Sequence, residues 1–188
     1  MLEIIDNFVR LTEIEPEWSS FARKIPGVTP FQLPQWLQTW WAHFGKNGQL
    51  HVLVFRESGA MVGIVPCFRH QWNGLRQITL IGSGISDYLE PAIDLQHVLG
   101  IVDRLRSHLE SDPDWDVCDW QDLSADTPFV GIKPERNFEF AAKPDISCSE
   151  IRLSETFDEF RNARPKDLKR NLSRYRRKAE AMGSVQFE

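Results

Sequence analysis

Two stretches of this chain hold the residue types that could do chemistry. The first is Gly82-Ser-Gly84-Ile-Ser86-Asp87-Tyr88, at the end of an apolar run. Ser86 and Asp87 offer hydrogen bonds to a polar substrate, and Tyr88 offers a ring to stack on it or close over it. Loops carried by a rigid scaffold are where binding groups concentrate. The same residues also suit a structural turn, with Gly82 and Gly84 at positive φ, Asp87 bonding its own backbone and Tyr88 packed. Asp87 becomes a general base only if it is desolvated. The second stretch runs from Arg161 to Lys178. Nine of the chain's 22 basic residues fall there beside one acid, Asp167, so the remainder carries 13 basic and 26 acidic residues. Such asymmetry in a chain of net charge −5 points the segment at something anionic. Lys169, Arg170, Arg174 and Arg177 are the candidate anion-binding residues.

Other chemistries find less support. His43, His51, His70, His97 and His108 are scattered without the HxH or HExxH spacing of a metal site, so no metal is expected and isolated, singly bonded histidines are. Cys67, Cys118 and Cys148 form no CxxC pair and read as reduced, packed residues of a cytoplasmic protein. No Walker loop or G-x-S-x-G elbow is present. No apolar run approaches the ~18 residues of a membrane span, and the acidic start, Met1-Leu-Glu-Ile-Ile-Asp6, is unlike a signal peptide. Trp36, Trp40 and Trp41 could stack on a sugar, but their helical spacing favours core packing.

The elements that must position these residues follow from periodicity. Residues 3–10 suggest a first strand. Pro16 starts a helix carrying Trp18 and Phe21, and Pro34 starts another carrying Leu37, Trp40 and Phe44. The period then changes to two. Leu50–Arg56, Met61–Arg69 and Leu75–Ile81 read as a three-stranded antiparallel meander, with Pro66 marking an edge or bulge. A loop, 83–93, leads to Asp94 as the cap of a helix with a Leu95/Val98/Leu99/Val102/Leu105/Leu109 stripe. A buried strand follows at Trp115–Trp120, then strand-like stretches near 137–142 and 148–153. Ser154 can cap a short helix. A last helix from Pro165 has the thin seam Leu168, Leu172, Tyr175, Ala179 and Met182.

Thr29-Pro-Phe-Gln-Leu-Pro-Gln-Trp36, Trp40-Trp41, Phe44-Gly45, Val62-Gly-Ile-Val-Pro66, Gly82–Tyr88 and Lys169-Arg170-Asn171-Leu172 occur in this order. With the element order, they make the chain resemble the N-terminal half of the BioF2-like acetyltransferases. This GNAT-like family includes bacterial proteins linked to cellulose biosynthesis. It is similar to the Fem-type peptidyl transferases in joining two GNAT-like halves. The resemblance implies an α/β (α+β) GNAT-like domain over residues 1–153, with a central, mostly antiparallel sheet flanked by helices. It implies connecting helices over 154–183, and at 184–188 the start of a strand belonging to a second half that is missing or lies on a partner chain. It implies acyl transfer from acetyl-CoA or another acyl-CoA to an amine or hydroxyl, the acceptor being linked to cell-surface polysaccharide; the residues themselves make Gly82, Gly84, Ser86, Asp87 and Tyr88 the substrate-binding candidates and Asp87 and Tyr88 the catalytic ones.

The coenzyme is expected to bind the complete protein and not this chain alone. A GNAT diphosphate turn runs directly into its helix. Here about ten residues intervene, and Asp87, Glu90 and Asp94 would repel phosphate, each by on the order of 4 kcal/mol at ~4 Å and an effective dielectric near 20. For the basic segment, an RNA-binding arm is disfavoured by the acidity of everything else, and a membrane-surface helix by the thin seam. A connecting helix facing an anionic surface or ligand is preferred over a merely solvated one. The rival reading of the whole is a non-catalytic module that recruits an anionic partner through residues 161–178.

Overall fold

The computed structural model describes residues 1–132, 139–144, 147 and 151–184. The chain divides into two compact units, Met1–Asp145 and Ile146–Glu188. The first is an α+β domain of mainly antiparallel strands with flanking helices.

Its frame is one long bent hairpin. β2 (Gln49–Leu50) and β3 (Val52–Glu57) are successive parts of one arm, and β4 (Ala60–Val65) and β5 (Cys67–Trp72) of the other. The arms break at His51 and Pro66. Proline has no N–H to give to a ladder, so the strand turns there and passes from one sheet to another. The bend stays closed because His51 N–H donates to the Cys67 carbonyl (3.0 Å) and the Cys67 thiol donates to the His51 carbonyl (2.8 Å). The expected meander is therefore corrected: among the described residues its strands belong to two four-stranded sheets, β1 (Leu2–Ile5)-β3-β4-β7 (Ala92–Ile93) and β2-β5-β6 (Leu75–Leu80)-β8 (Val117–Asp119).

Four further strands complete these sheets. β1 covers only Leu2–Ile5, because Asn7 caps α1 (Phe8–Glu13) by accepting the Arg10 N–H at 2.9 Å. β6 (Leu75–Leu80) lies antiparallel to β5 and parallel to β8 (Val117–Asp119). Among the described residues β8 is the outermost strand of its sheet, and it is only half-buried, not the buried strand expected. β7 (Ala92–Ile93) lies inside the expected loop and pairs with Gly63–Ile64 of β4.

Helices α2 (Glu15–Ala22) and α3 (Pro34–Phe44) start at their prolines, as the first-turn preference of proline requires. Asp94 caps a 3-10 turn, Leu95–His97, before α4 (Val98–Ser111). That turn shifts the helical phase, so the buried stripe is Ile101, Leu105 and Leu109, while Leu95 and Leu99 are exposed. The core joins Trp18, Leu37, Phe55, Ile64, Leu80 and Leu105, each at most 1% exposed. Burial of each such side chain stabilises by about 1.5–3 kcal/mol. Arg56 ties three elements of this unit, donating to Glu17 of α2 (2.6 and 2.8 Å) and Glu3 of β1 (2.8 Å).

In the second unit, α5 (Phe157–Asn162) is capped by Thr156, not Ser154. Thr156 and Glu159 form a reciprocal capping box. α6 spans Lys166–Met182 with no buried residue, and its seam members Leu168, Leu172, Tyr175 and Met182 are exposed. Of the stretches expected as strands, 139–142 and 151–153 have no regular structure, and 137–138 and 148–150 lie outside the described residues, as do 185–188. Among the described residues no helix is long and apolar enough to cross a membrane.

Candidate functional site

The glycine loop leaves β6 at the carboxyl end of the strand that pairs in parallel with β8. Ser83 folds back, its hydroxyl donating to the Leu80 carbonyl at 2.8 Å. Gly82 sits at φ +109 and Gly84 at φ +89. Their surroundings differ. A Cβ on Gly82 would lie 2.7 Å from Leu89 and 3.1 Å from the Ser86 hydroxyl, whereas one on Gly84 would meet nothing within 4 Å. Leu89 is buried and anchors the far end of the loop, its N–H donating to the Asp122 carbonyl at 2.9 Å.

The candidate side chains separate accordingly. Ser86 is buried, and its hydroxyl accepts the Trp36 indole N–H at 2.8 Å. The loop is thereby fastened to α3, a link between two stretches that sequence reasoning treated separately. Asp87 is exposed, and its side chain has no hydrogen bond or ion pair to a described residue. Tyr88 is 40% exposed and takes φ +56, a left-handed conformation that a bulky non-glycine residue rarely adopts. Trp40 is buried, Trp41 half-buried, and Trp36 is 37% exposed. Core packing thus accounts for Trp40, while Trp36 lines a shallow cleft of about 80 Å³ with Trp40, His43, Phe44 and Ile85. A second, more closed hole beside Gln32 and Glu90 is about 10 Å³. Ligand pockets run to roughly 300–1,000 Å³, so neither space holds a substrate alone.

Two of the three carboxylates expected to crowd this loop are engaged elsewhere. Glu90 accepts from the Ser124 N–H at 3.0 Å and, closely, from the Thr127 hydroxyl. Asp94 accepts from the Gln96 N–H at 2.9 Å and approaches His97 at 3.2 Å. Asp87 alone still faces solvent at the loop. A second feature separates the loop from a helix N-terminus: β7 carries the chain to the other sheet before α4 begins.

The thiols are not poised for nucleophilic work. Burial pushes the Cys67 thiol well above its ordinary range and the Cys118 thiol up to about 12. Cys148 lies outside the described residues.

A cluster that the histidine spacing does not reveal lies at the bend. His51, at the strand break, and His108, in the last turn of α4, meet with their Nε2 atoms 2.9 Å apart. The ring centroids are 5.1 Å apart, so the rings meet head to head. The nearer carboxylate oxygen of Asp112 is 3.8 Å from His51 Nε2 and 3.9 Å from His108 Nε2. Arg69 of β5 reaches in, its Nη2 contacting Asp112 closely and lying 3.3 Å from His51 Nε2. Burial first, then the Arg69 charge and the neighbouring imidazole, lower His51 to about 4. Burial lowers His108 as well, against the opposing pull of Asp112. The expectation of isolated histidines is corrected here. The available signal was the four-residue spacing of His108 and Asp112; nothing in the sequence ties His51 to them.

The basic helix makes only local contacts among the described residues. Arg170 pairs with Asp167 at 3.0 Å and Arg176 with Glu180 at 2.8 Å. Lys169 donates to the Asn162 carbonyl (3.3 Å), Arg177 donates to the Ser173 carbonyl (3.3 Å), and Arg174 lies over the Tyr175 ring.

No protein-family profile matches the chain, and no curated protein matches it. Among solved structures, a ribosomal-protein-alanine N-acetyltransferase from Brucella melitensis biovar Abortus 2308 is similar over 81% of this chain and 100% of its own, with 16% identity and a TM-score of 0.40. A possible acetyltransferase from Clostridium difficile 630 is similar over 78% of this chain and 99% of its own, with 10% identity and a TM-score of 0.37.

Proposed function

We propose that this chain is the acceptor-binding, N-terminal half of a GNAT-like acyltransferase, moving an acyl group from acyl-CoA to an amine or hydroxyl. The observation that carries the reading is the unit β6–loop–α4–β8. A glycine-bearing loop opens at the carboxyl end of β6, and the chain returns through a helix to pair β8 in parallel with it. The carboxyl end of a parallel pair is where α/β sheets gather their ligands. Tyr88, held at φ +56 in that loop, adds support, because backbone strain concentrates at ligand clamps.

The same geometry favours a division of labour. Gly82 is packed against Leu89, and β7 intervenes before α4. No row of loop N–H groups therefore continues into a helix N-terminus to hold a diphosphate. The acyl-CoA site belongs to a second GNAT-like half, in the same protein or on a partner chain. Ser86 and Trp36 set the loop, while Asp87 and Tyr88 face the acceptor. The basic residues Lys169, Arg170, Arg174 and Arg177 face an anionic surface or ligand of the assembled enzyme. A cell-surface polysaccharide as the source of the acceptor is the finer part of this proposal and rests on the family resemblance alone.

Calorimetry with acetyl-CoA tests the division. These 188 residues give no saturable heat on this account. Saturable binding that Gly84→Asp abolishes would place the coenzyme at the glycine loop and overturn it.

One observation favours the second reading, a recruiting module. α6 has no buried residue, in its charged faces or in its apolar seam. If that reading holds, the chain binds inorganic pyrophosphate or polyglutamate with a strong salt dependence, and Asp87→Asn has no functional consequence in any assembly.

A further inference from the structure

The three facing atoms of His51, His108 and Asp112 have the chemistry and the spacing of a metal site. Their separations are 2.9, 3.8 and 3.9 Å. A triangle with those sides has a single in-plane point about 2.1 Å from every corner, within the range of zinc–imidazole and zinc–carboxylate bonds. Two of the groups come from one face of a helix end, four residues apart, and the third from the strand break packed against it. Their side chains are only 6–13% exposed, so the donors are already desolvated and ordered. Two imidazoles and a carboxylate suit zinc better than magnesium or calcium, which prefer all-oxygen shells.

We infer that His51, His108 and Asp112 form a Zn²⁺ site closed by Arg69 when no metal is bound. In the closed state one proton joins the two Nε2 atoms and the guanidinium stands beside Asp112. His51 Nε2 then faces two neighbours, His108 and Arg69, with a single lone pair. Arg69 is itself incompletely satisfied, since its buried Nε has no partner among the described residues. It also has somewhere to go: its Nη1 is already 3.7 Å from the exposed carboxylate of Asp114. An entering ion takes both Nε2 lone pairs, and the ring that carried its proton on Nε2 exchanges it through solvent for one on Nδ1, so both imidazoles stay neutral and no net proton is released. Both rings turn until their lone pairs leave the Nε2–Nε2 line and converge on the common point, and Arg69 swings toward Asp114. As the rings turn, the three donor separations even out toward the roughly 3.4 Å of a tetrahedral shell, the ion rises out of the donor plane, and the fourth position is left to water.

The test is a titration of the full 188-residue chain, stripped with chelator, with Zn²⁺ alone, followed by calorimetry and thermal melting. The site predicts one equivalent bound at micromolar affinity or tighter and a rise in Tm. Loss of an outer-shell partner alone weakens metal sites by about 10–100-fold; His108→Ala removes a ligand and loses at least that much. Arg69→Gln removes the competing cation, so it binds Zn²⁺ more tightly than wild type, an effect that a merely structural role for Arg69 does not produce; unchanged affinity would show that Arg69 does not close the site. Co²⁺ substitution gives the visible absorption of a four-coordinate ion, and His108→Ala lacks it. No saturable Zn²⁺ binding by wild type, binding unchanged in His108→Ala, or binding confined to Arg69→Gln each overturns the inference. The last would mean that the resident guanidinium holds the site in the native chain. The outcome is independent of the acyl-transfer reading, because it is scored by metal binding and not by turnover.

Discussion

Gly82 and Gly84 both need positive φ, but only Gly82 is also packed. Alanine at Gly84 is charged only with the left-handed strain, about 1 kcal/mol. Alanine at Gly82 adds overpacking against Leu89 and Ser86, for a total of about 2–4 kcal/mol. Urea denaturation of the two variants separates these values; equal losses would mean that the loop does not close over Gly82. The hydrogen bond from Trp36 to Ser86 supports a second expectation. Trp36→Phe keeps most of the ring surface and loses the N–H, costing about 1–2 kcal/mol and raising amide exchange in residues 83–89. An unchanged exchange pattern would show that α3 does not hold the loop. At this scale the sequence spoke unevenly. It identified Gly82–Tyr88 as a turn with glycines at positive φ, because glycine and Ser/Asp side chains advertise turns. It could not show that Ser86 faces inward and Asp87 outward, since that depends on a contact between residues 50 positions apart.

The pairing of β6 with β8 is the element on which the functional reading turns, and its start is held electrostatically. Asp116 accepts from the Arg76 N–H at 2.8 Å and from its guanidinium at 2.7 and 3.1 Å, just before Val117 begins the strand. These bonds from Arg76 lower the Asp116 carboxyl from 3.8 to about 2. A carboxyl depressed in the folded state contributes fully above its unfolded pKa and loses its contribution as pH falls through the folded one. The β6–β8 pairing therefore weakens between about pH 4 and pH 2. Amide protection at Val117–Asp119, taken relative to the intrinsic exchange rate at each pH, should fall across that window in wild type and already be lower at pH 7 in Asp116→Asn. Protection that is flat from pH 5 to pH 2 would refute the role. Periodicity and proline placed α2 and α3 correctly, because a proline at a helix start acts locally. The same logic misjudged the meander. Pro66 reads from sequence as a bulge or an edge, and only the partner arm, breaking at His51, turns that local defect into a change of sheet.

Across the whole molecule, the charge asymmetry read from composition survives as an exposed basic helix in one unit and an α+β domain with a glycine loop in the other. Two cavities described near that loop are too small to hold a substrate alone. The fold class was legible because element order and alternation are properties of the sequence. Of the candidate site only the position of the glycine loop was legible, since its side-chain directions and the histidine cluster are products of tertiary packing. The most direct measurement of the central claim is thiol release from acetyl-CoA with a panel of amine and hydroxyl acceptors. It is run on this chain alone, on a second GNAT-like half alone, and on the two together, with Asp87→Asn as a comparison. The account predicts turnover only when both halves are present, reduced at least tenfold by Asp87→Asn. Turnover by this chain alone, or by the other half at the same rate without it, would contradict the account.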